Sequence, residues 1–67
     1  MNKALLRSVM TLHGDTNKSL AEYLNISEKS ISDKINENNT EFKQSEIDAI
    51  IDRYSLTNEQ LRNIFFS

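Results

Sequence analysis

The chain contains no cysteine and no proline, and only one glycine and one histidine among its 67 residues. Without cysteine there is no disulfide framework and no zinc site of the usual kind, so the core alone must hold a folded state. The single histidine, His13, has no second histidine to complete a metal site; beside Gly14 it reads as part of a helix end. One glycine cannot build a glycine-rich phosphate loop, and no Ser/His/Asp or Cys/His set is present. A chain this short also leaves little room for a concave pocket, so no enzyme, cofactor or small-molecule substrate is expected. No run approaches the ~20 apolar residues of a membrane span, and no signal peptide is visible. These absences favour an intracellular, most simply cytoplasmic, protein with no membrane partner.

What is present favours helix. Leu, Ile, Lys, Glu and Gln are plentiful and no proline interrupts them. The spacing predicts five short helices in one small all-α domain, with no repeat, linker or low-complexity tract. Helix 1 is expected from about Asn2 to Leu12, burying Leu5, Leu6 and Val9, with Gly14 as a left-handed cap. Helix 2 is expected over about 17–24 behind the N-cap Thr16, and helix 3 over about 28–36. A polar loop with Asn36, Asn38 and Asn39 leads to Phe42. Helix 4 is expected over about 44–54, with Ile47, Ile50, Ile51 and Tyr54 on one face. Thr57 and Gln60 form a capping box for helix 5, which should run through Ile64, Phe65 and Phe66, with Leu56 stapled onto Leu61. The Leu61/Ile64/Phe65 spacing assigns Phe65 to the core and leaves Phe66 outside, where an exposed ring suggests an interface.

Residues 16–36, TNKSLAEYLNISEKSISDKIN, carry the most information. Leu20, Ala21 and Leu24 give one apolar face, Ile31 and Ile35 another. Between them, Asn25 suits a sharp turn because it tolerates positive φ. Ser27 is an N-cap for the next helix, and Ile26 and Ile31 form a hydrophobic staple across it. Ala21 is small enough to let two helices cross closely. This is the pattern of a helix-turn-helix, whose second helix enters the DNA major groove. The net charge of −2 runs mildly against nucleic acid binding, where a basic footprint is expected. Residues 1–43 are balanced, however, and the acidic excess lies in the last third with Glu46, Asp48, Asp52 and Glu59, which read as a solvated face.

LAEYLNISEKSISDKIN, residues 20–36, resembles the helix-turn-helix of the Cro/C1-type (lambda repressor-like) family. FKQSEIDAIIDRYSLTNEQLRNIFF also looks like the closing segment of small phage and prophage regulators from Gram-positive hosts. The resemblance implies a compact five-helix lambda repressor-like DNA-binding domain, with helices 2 and 3 forming the helix-turn-helix. It implies base reading by Glu28, Lys29, Ser32 and Asp33. Asn17, Lys18, Lys34, Asn36, Asn38 and Lys43 would contact phosphate and position the domain without reading sequence. Lys29 and Lys34 are both expected on the exposed side of helix 3.

The chain departs from the family pattern at the turn, where Asn25 replaces the usual Gly, and at helix 2, where Asn17 replaces the usual Gln. Glu28 and Asp33 would be repelled by phosphate, although a carboxylate can accept from cytosine N4. The implied function is that of a sequence-specific transcriptional regulator, of Cro or repressor type, occupying a pseudo-palindromic double-stranded DNA operator as a weak homodimer. Arg62, Asn63 and Phe66 are the residues available for the dimer contact. The acidic C-terminal third and Phe66 keep a second reading open, a protein–protein interaction module that retains the fold and binds another phage regulator as an antirepressor or modulator.

Overall fold

The computed structural model describes residues 1–66, and every regular element among them is an α-helix: α1 (Lys3–Leu12), α2 (Asn17–Leu24), α3 (Glu28–Asn36), α4 (Gln44–Tyr54) and α5 (Asn58–Phe65). Each start except that of α4 has a side-chain cap. Asn2 accepts from the Leu5 N–H, Thr16 from Ser19, Ser27 from Ser30 and Thr57 from Gln60. Each cap satisfies one of the amide donors that a helix leaves without an internal partner. Lys43, which precedes α4, has no side-chain acceptor. There only the return half of a capping box forms, the Lys43 N–H donating to Glu46 Oε1 at 2.8 Å.

Four helices end in the same way. After α1, Gly14 (φ +74°) donates to Thr11 O and Asp15 to Met10 O, which is a Schellman turn. Asn25, Glu37 and Ser55 repeat the paired bonds after α2, α3 and α4 with φ of 59°, 56° and 51°. Only the first of these turns has the residue that adopts a left-handed conformation without a steric cost. The expected Gly14 cap and the Asn25 turn are both present.

The core is built from Leu6, Met10, Leu20, Ala21, Ile31, Ile35, Phe42, Ile50, Tyr54 and Ile64. On α1 the buried pair is Leu6 and Met10, while Leu5 and Val9 are half-buried. The expected stripe of Leu5, Leu6 and Val9 holds for Leu6, with Leu5 and Val9 packed half-buried against the core, and it omits Met10. α1 lies against α5, where the Asn2 N–H donates to Ile64 O at 2.7 Å, and this pins the side of α1 that faces inward. Phe65 packs on the core edge-to-face with Phe42 at 6.1 Å, and Phe66 remains 66% exposed. α2 and α3 make the most extensive contact between helices, and Ala21 of α2 is buried. No helix of the described residues is long and apolar enough to cross a membrane.

The left-handed, non-glycine helix ends carry a cost of roughly 1–2 kcal/mol each. Ser55 is exposed, and it closes the turn through its backbone N–H. Ser55→Gly is therefore expected to stabilise the fold by about 0.5–1 kcal/mol, after the added entropy of glycine in the unfolded chain. Urea denaturation of the variant and its parent measures the difference.

Candidate nucleic-acid interface

The surface singled out by the sequence is presented by α2, α3 and the turn between them. α2 is anchored at its start. The Thr16 N–H donates to Ser19 Oγ at 2.9 Å, and Ser19 Oγ donates to Asp15 Oδ1 at 2.7 Å. Asp15 is almost fully enclosed. It also accepts from Arg53 Nε (2.7 Å), Arg53 Nη2 (2.8 Å) and Tyr54 Oη (2.6 Å), so its two oxygens join the α1–α2 corner to the end of α4. The Arg53 guanidinium holds the Asp15 carboxyl well below the usual carboxylate range. Burial opposes this, and the Tyr54 and Ser19 hydroxyls reinforce it. The same contacts raise the Arg53 pKa further. Burial, followed by the Asp15 charge, pushes the Tyr54 phenol up. Arg53 also lies 4.4 Å above the Tyr23 ring, a cation–π contact that reaches the outer side of α2.

The turn carries α2 directly into α3. Asn25 (φ 59°, ψ 44°) reverses the chain, the Ile26 N–H returns to Ala21 O at 3.0 Å, and Ser27 Oγ accepts from Ser30 at 3.0 Å. Ile31 and Ile35 are then fully buried. Glu28 and Lys29 stand in solvent, while Ser32 and Asp33 are half-buried on the same helix. Lys29 Nζ donates to Asp33 Oδ2 at 3.0 Å, one turn along α3. This ammonium is the chief cause of a lowered Asp33 pKa, against a small burial effect and with help from Asn38.

The expected phosphate contacts are brought together only in part. Asn17 opens α2 half-buried, and Lys18, Asn36, Asn38 and Lys43 are exposed. Asn36 Oδ1 accepts from Lys3 Nζ at 3.5 Å. Lys34 is a correction. It is not on the exposed side of α3 but 7% exposed, with its ammonium 2.6 and 2.7 Å from the two oxygens of Glu46. Glu46 is likewise a correction, being buried rather than part of a solvated face. Both outcomes have one cause. Position 34 lies on the buried stripe between Ile31 and Ile35, and α4 supplies the carboxylate that compensates it there. Burial works against ionised Glu46, but the Lys34 ammonium and the Lys43 N–H outweigh it and hold its carboxyl below the ordinary value.

Arg7 was not singled out by the sequence. It is exposed on α1 and lines a shallow concavity with Thr16 and Asn17 at the start of α2. No local pattern announces this, because it depends on how α1 packs beside α2. Arg62 and Asn63 are exposed on α5, one turn before Phe66. No group of three or more His, Cys, Asp or Glu that could hold a metal ion occurs among the described residues. No protein-family model, curated protein or solved structure matches the chain.

Two predictions follow from the buried charges. Lys34→Ala leaves Glu46 buried and uncompensated, so the fold should lose about 3–5 kcal/mol, whereas Lys34→Met combined with Glu46→Leu should be nearly neutral. Thermal denaturation of the single and double variants checks this. The second concerns pH. Asp15 and Glu46 titrate lower in the folded chain than in the unfolded one. Their stabilisation is complete above the unfolded value of about 4 and is lost as pH falls through the folded values. Tyr54 is shifted upward, so its contribution is complete below about pH 10 and is lost at higher pH. Stability measured against pH should therefore fall on both sides, with Asp15→Asn flattening the acid limb and Tyr54→Phe the alkaline one.

Proposed function

We propose that the chain is a sequence-specific DNA-binding transcriptional regulator of helix-turn-helix type, in which α3 enters the major groove of a double-stranded operator. The observation that carries this reading is the α2–turn–α3 unit. α2 and α3 pack against each other with Ala21 buried on α2, a left-handed Asn25 turns the chain, and Ser27 caps α3. Glu28 and Lys29 at the first turn of α3, with Ser32 and Asp33 one turn on, then remain outside the core. These four are the base-reading candidates. Lys18, Lys43 and the amides Asn17, Asn36 and Asn38 are the candidates for phosphate, and Arg7 joins them from α1. The resemblance to Cro/C1-type regulators points the same way. Regulation would act without chemistry, by occupying an operator and excluding a competing protein. Two copies on a pseudo-palindromic site would supply the specificity that one short helix lacks.

A second reading is favoured by the charge distribution. Lys34, Arg53 and Lys29 are each paired with a carboxylate of the same chain, which leaves α3 with two outward carboxylates and one outward cation. A face of that character would also suit a protein partner, as in an antirepressor or modulator.

Salt titration of operator binding separates the two. Phosphate contacts release counterions, so with Lys18, Lys43 and Arg7 on phosphate in each of two bound copies, the log–log slope of affinity against salt should be about −5. Lys18→Ala or Lys43→Ala should weaken binding to all sequences alike and lower the slope by about 1 per copy. Asp33→Asn frees Lys29 and should tighten binding at low salt. An operator affinity indifferent to salt would sink the DNA-binding reading in favour of the second.

A further inference from the structure

Lys29 and Asp33 stand one turn apart on α3, joined by a 3.0 Å bond from Nζ to Oδ2. The lysine side chain is 85% exposed, and an ammonium has two donors beyond the one given to Asp33. The Asp33 side chain is 30% exposed, and Asn38 as well as Lys29 favours its ionised form. α3 therefore displays a donor and an acceptor at a set distance and in a set order. The major groove offers the complementary pattern. In a G·C pair the O6 acceptor of guanine and the N4–H donor of cytosine face each other across one Watson–Crick bond, at about 2.9–3.0 Å. A T·A pair offers O4 and N6–H at the same spacing, so these inner groups alone match both. The outer groups decide. Beyond guanine O6 lies N7, a second acceptor for the ammonium, and beyond cytosine N4 nothing repels a carboxylate. In T·A the ammonium meets the thymine methyl and the carboxylate meets adenine N7, another acceptor. The reversed pairs, C·G and A·T, set donor against donor and acceptor against acceptor.

We propose that the Lys29–Asp33 pair acts as one reading unit that selects a single G·C base pair in each half-site, with guanine on the Lys29 side and cytosine on the Asp33 side. The inference rests on the proposed function and deepens it by naming what the site reads. An exposed ion pair of this kind contributes little to the stability of the fold. It does set the lysine in place before DNA arrives, which reduces the entropy lost on ordering that side chain at an interface. The pair carries no net charge, so its attraction for phosphate is weak in either direction. Its contribution is therefore to discrimination between bases, while Lys18, Lys43 and Arg7 supply the contacts that do not read sequence.

Selection from a randomised duplex pool defines the operator, and all four base pairs are then exchanged at each position in turn and titrated at constant salt. One position in each half-site should prefer G·C over T·A by about tenfold, and over C·G and A·T by more. Asp33→Asn supplies an amide, which pairs with adenine N6 and N7 together, so the preference at that position should move to T·A. Lys29→Met removes the donor to O6 and N7 and should weaken the G·C site about tenfold relative to the T·A site. Lys18→Ala should lower affinity for all four alike and leave their order unchanged. The helical circular dichroism of each variant should match the parent, since none of these side chains belongs to the core. Salt-dependent binding with no G·C-selective position overturns the inference and leaves the DNA-binding reading standing. So does a result in which Lys29→Met and Asp33→Asn change the preference at different base pairs, because the two residues then read separately. Failure to bind any duplex overturns both.

Discussion

The Lys34–Glu46 pair is the interaction on which the rest of the arrangement depends. It joins the last turn of α3 to the first turn of α4 through bonds of 2.6 and 2.7 Å in a place almost closed to water. The same carboxylate accepts the Lys43 N–H and so stands in for the missing side-chain cap of α4. Apolar contacts alone would let α3 slide or roll with little penalty, because isoleucines pack against many neighbours. A buried ammonium has no such freedom, since any rotation that parts it from Glu46 leaves two desolvated charges. The orientation of α3, and hence which of its residues face outward, follows from that constraint.

Asp15 plays the corresponding part on the other side. Its oxygens gather a serine from α2 and an arginine and tyrosine from α4, so the α1–α2 corner is tied to the end of α4. α3 and the α1–α2 corner are thus each held to α4 by one ionic contact. A chain with few large side chains and no cross-links gains a defined geometry from these contacts, even where their net contribution to stability is small. The same contacts take up cations that a nucleic acid would otherwise attract. For the proposed function this shifts recognition from general attraction for phosphate toward geometry and pairing of copies.

The local features were legible in the sequence because each is written within five residues. Thr16, Ser27 and Thr57 each have the hydroxyl that a helix start needs, Gly14 and Asn25 suit positive φ, and the isoleucine spacing marks the inner face. What was missed lies across long separations. Lys34 and Glu46 are 12 residues apart, and Asp15 and Arg53 are 38 apart. Lys34 did leave a trace, since it stands at i+3 from Ile31 and beside Ile35 on the apolar stripe. A lysine there is either at the margin of the stripe or paired beneath it, and only the position of α4 decides between them. The same limit applies to Arg7, whose place beside Asn17 is a matter of how α1 packs. Helix boundaries came within a residue or two because caps mark them, while the inward direction of α1 depended on α5.

Outward from the Lys34–Glu46 clamp, Glu28 and Lys29 are exposed, Ser32 and Asp33 are half-buried, and none of the four belongs to the core formed by Ile31 and Ile35. Substitutions at these four positions are therefore buffered: they alter what the helix displays without altering how it is held. A lineage of such chains could change its preference for a partner by drift at a few surface codons, while selection on folding acts elsewhere. Lys34, next after Asp33, would stay a lysine, and its persistence would reveal the hidden carboxylate beneath.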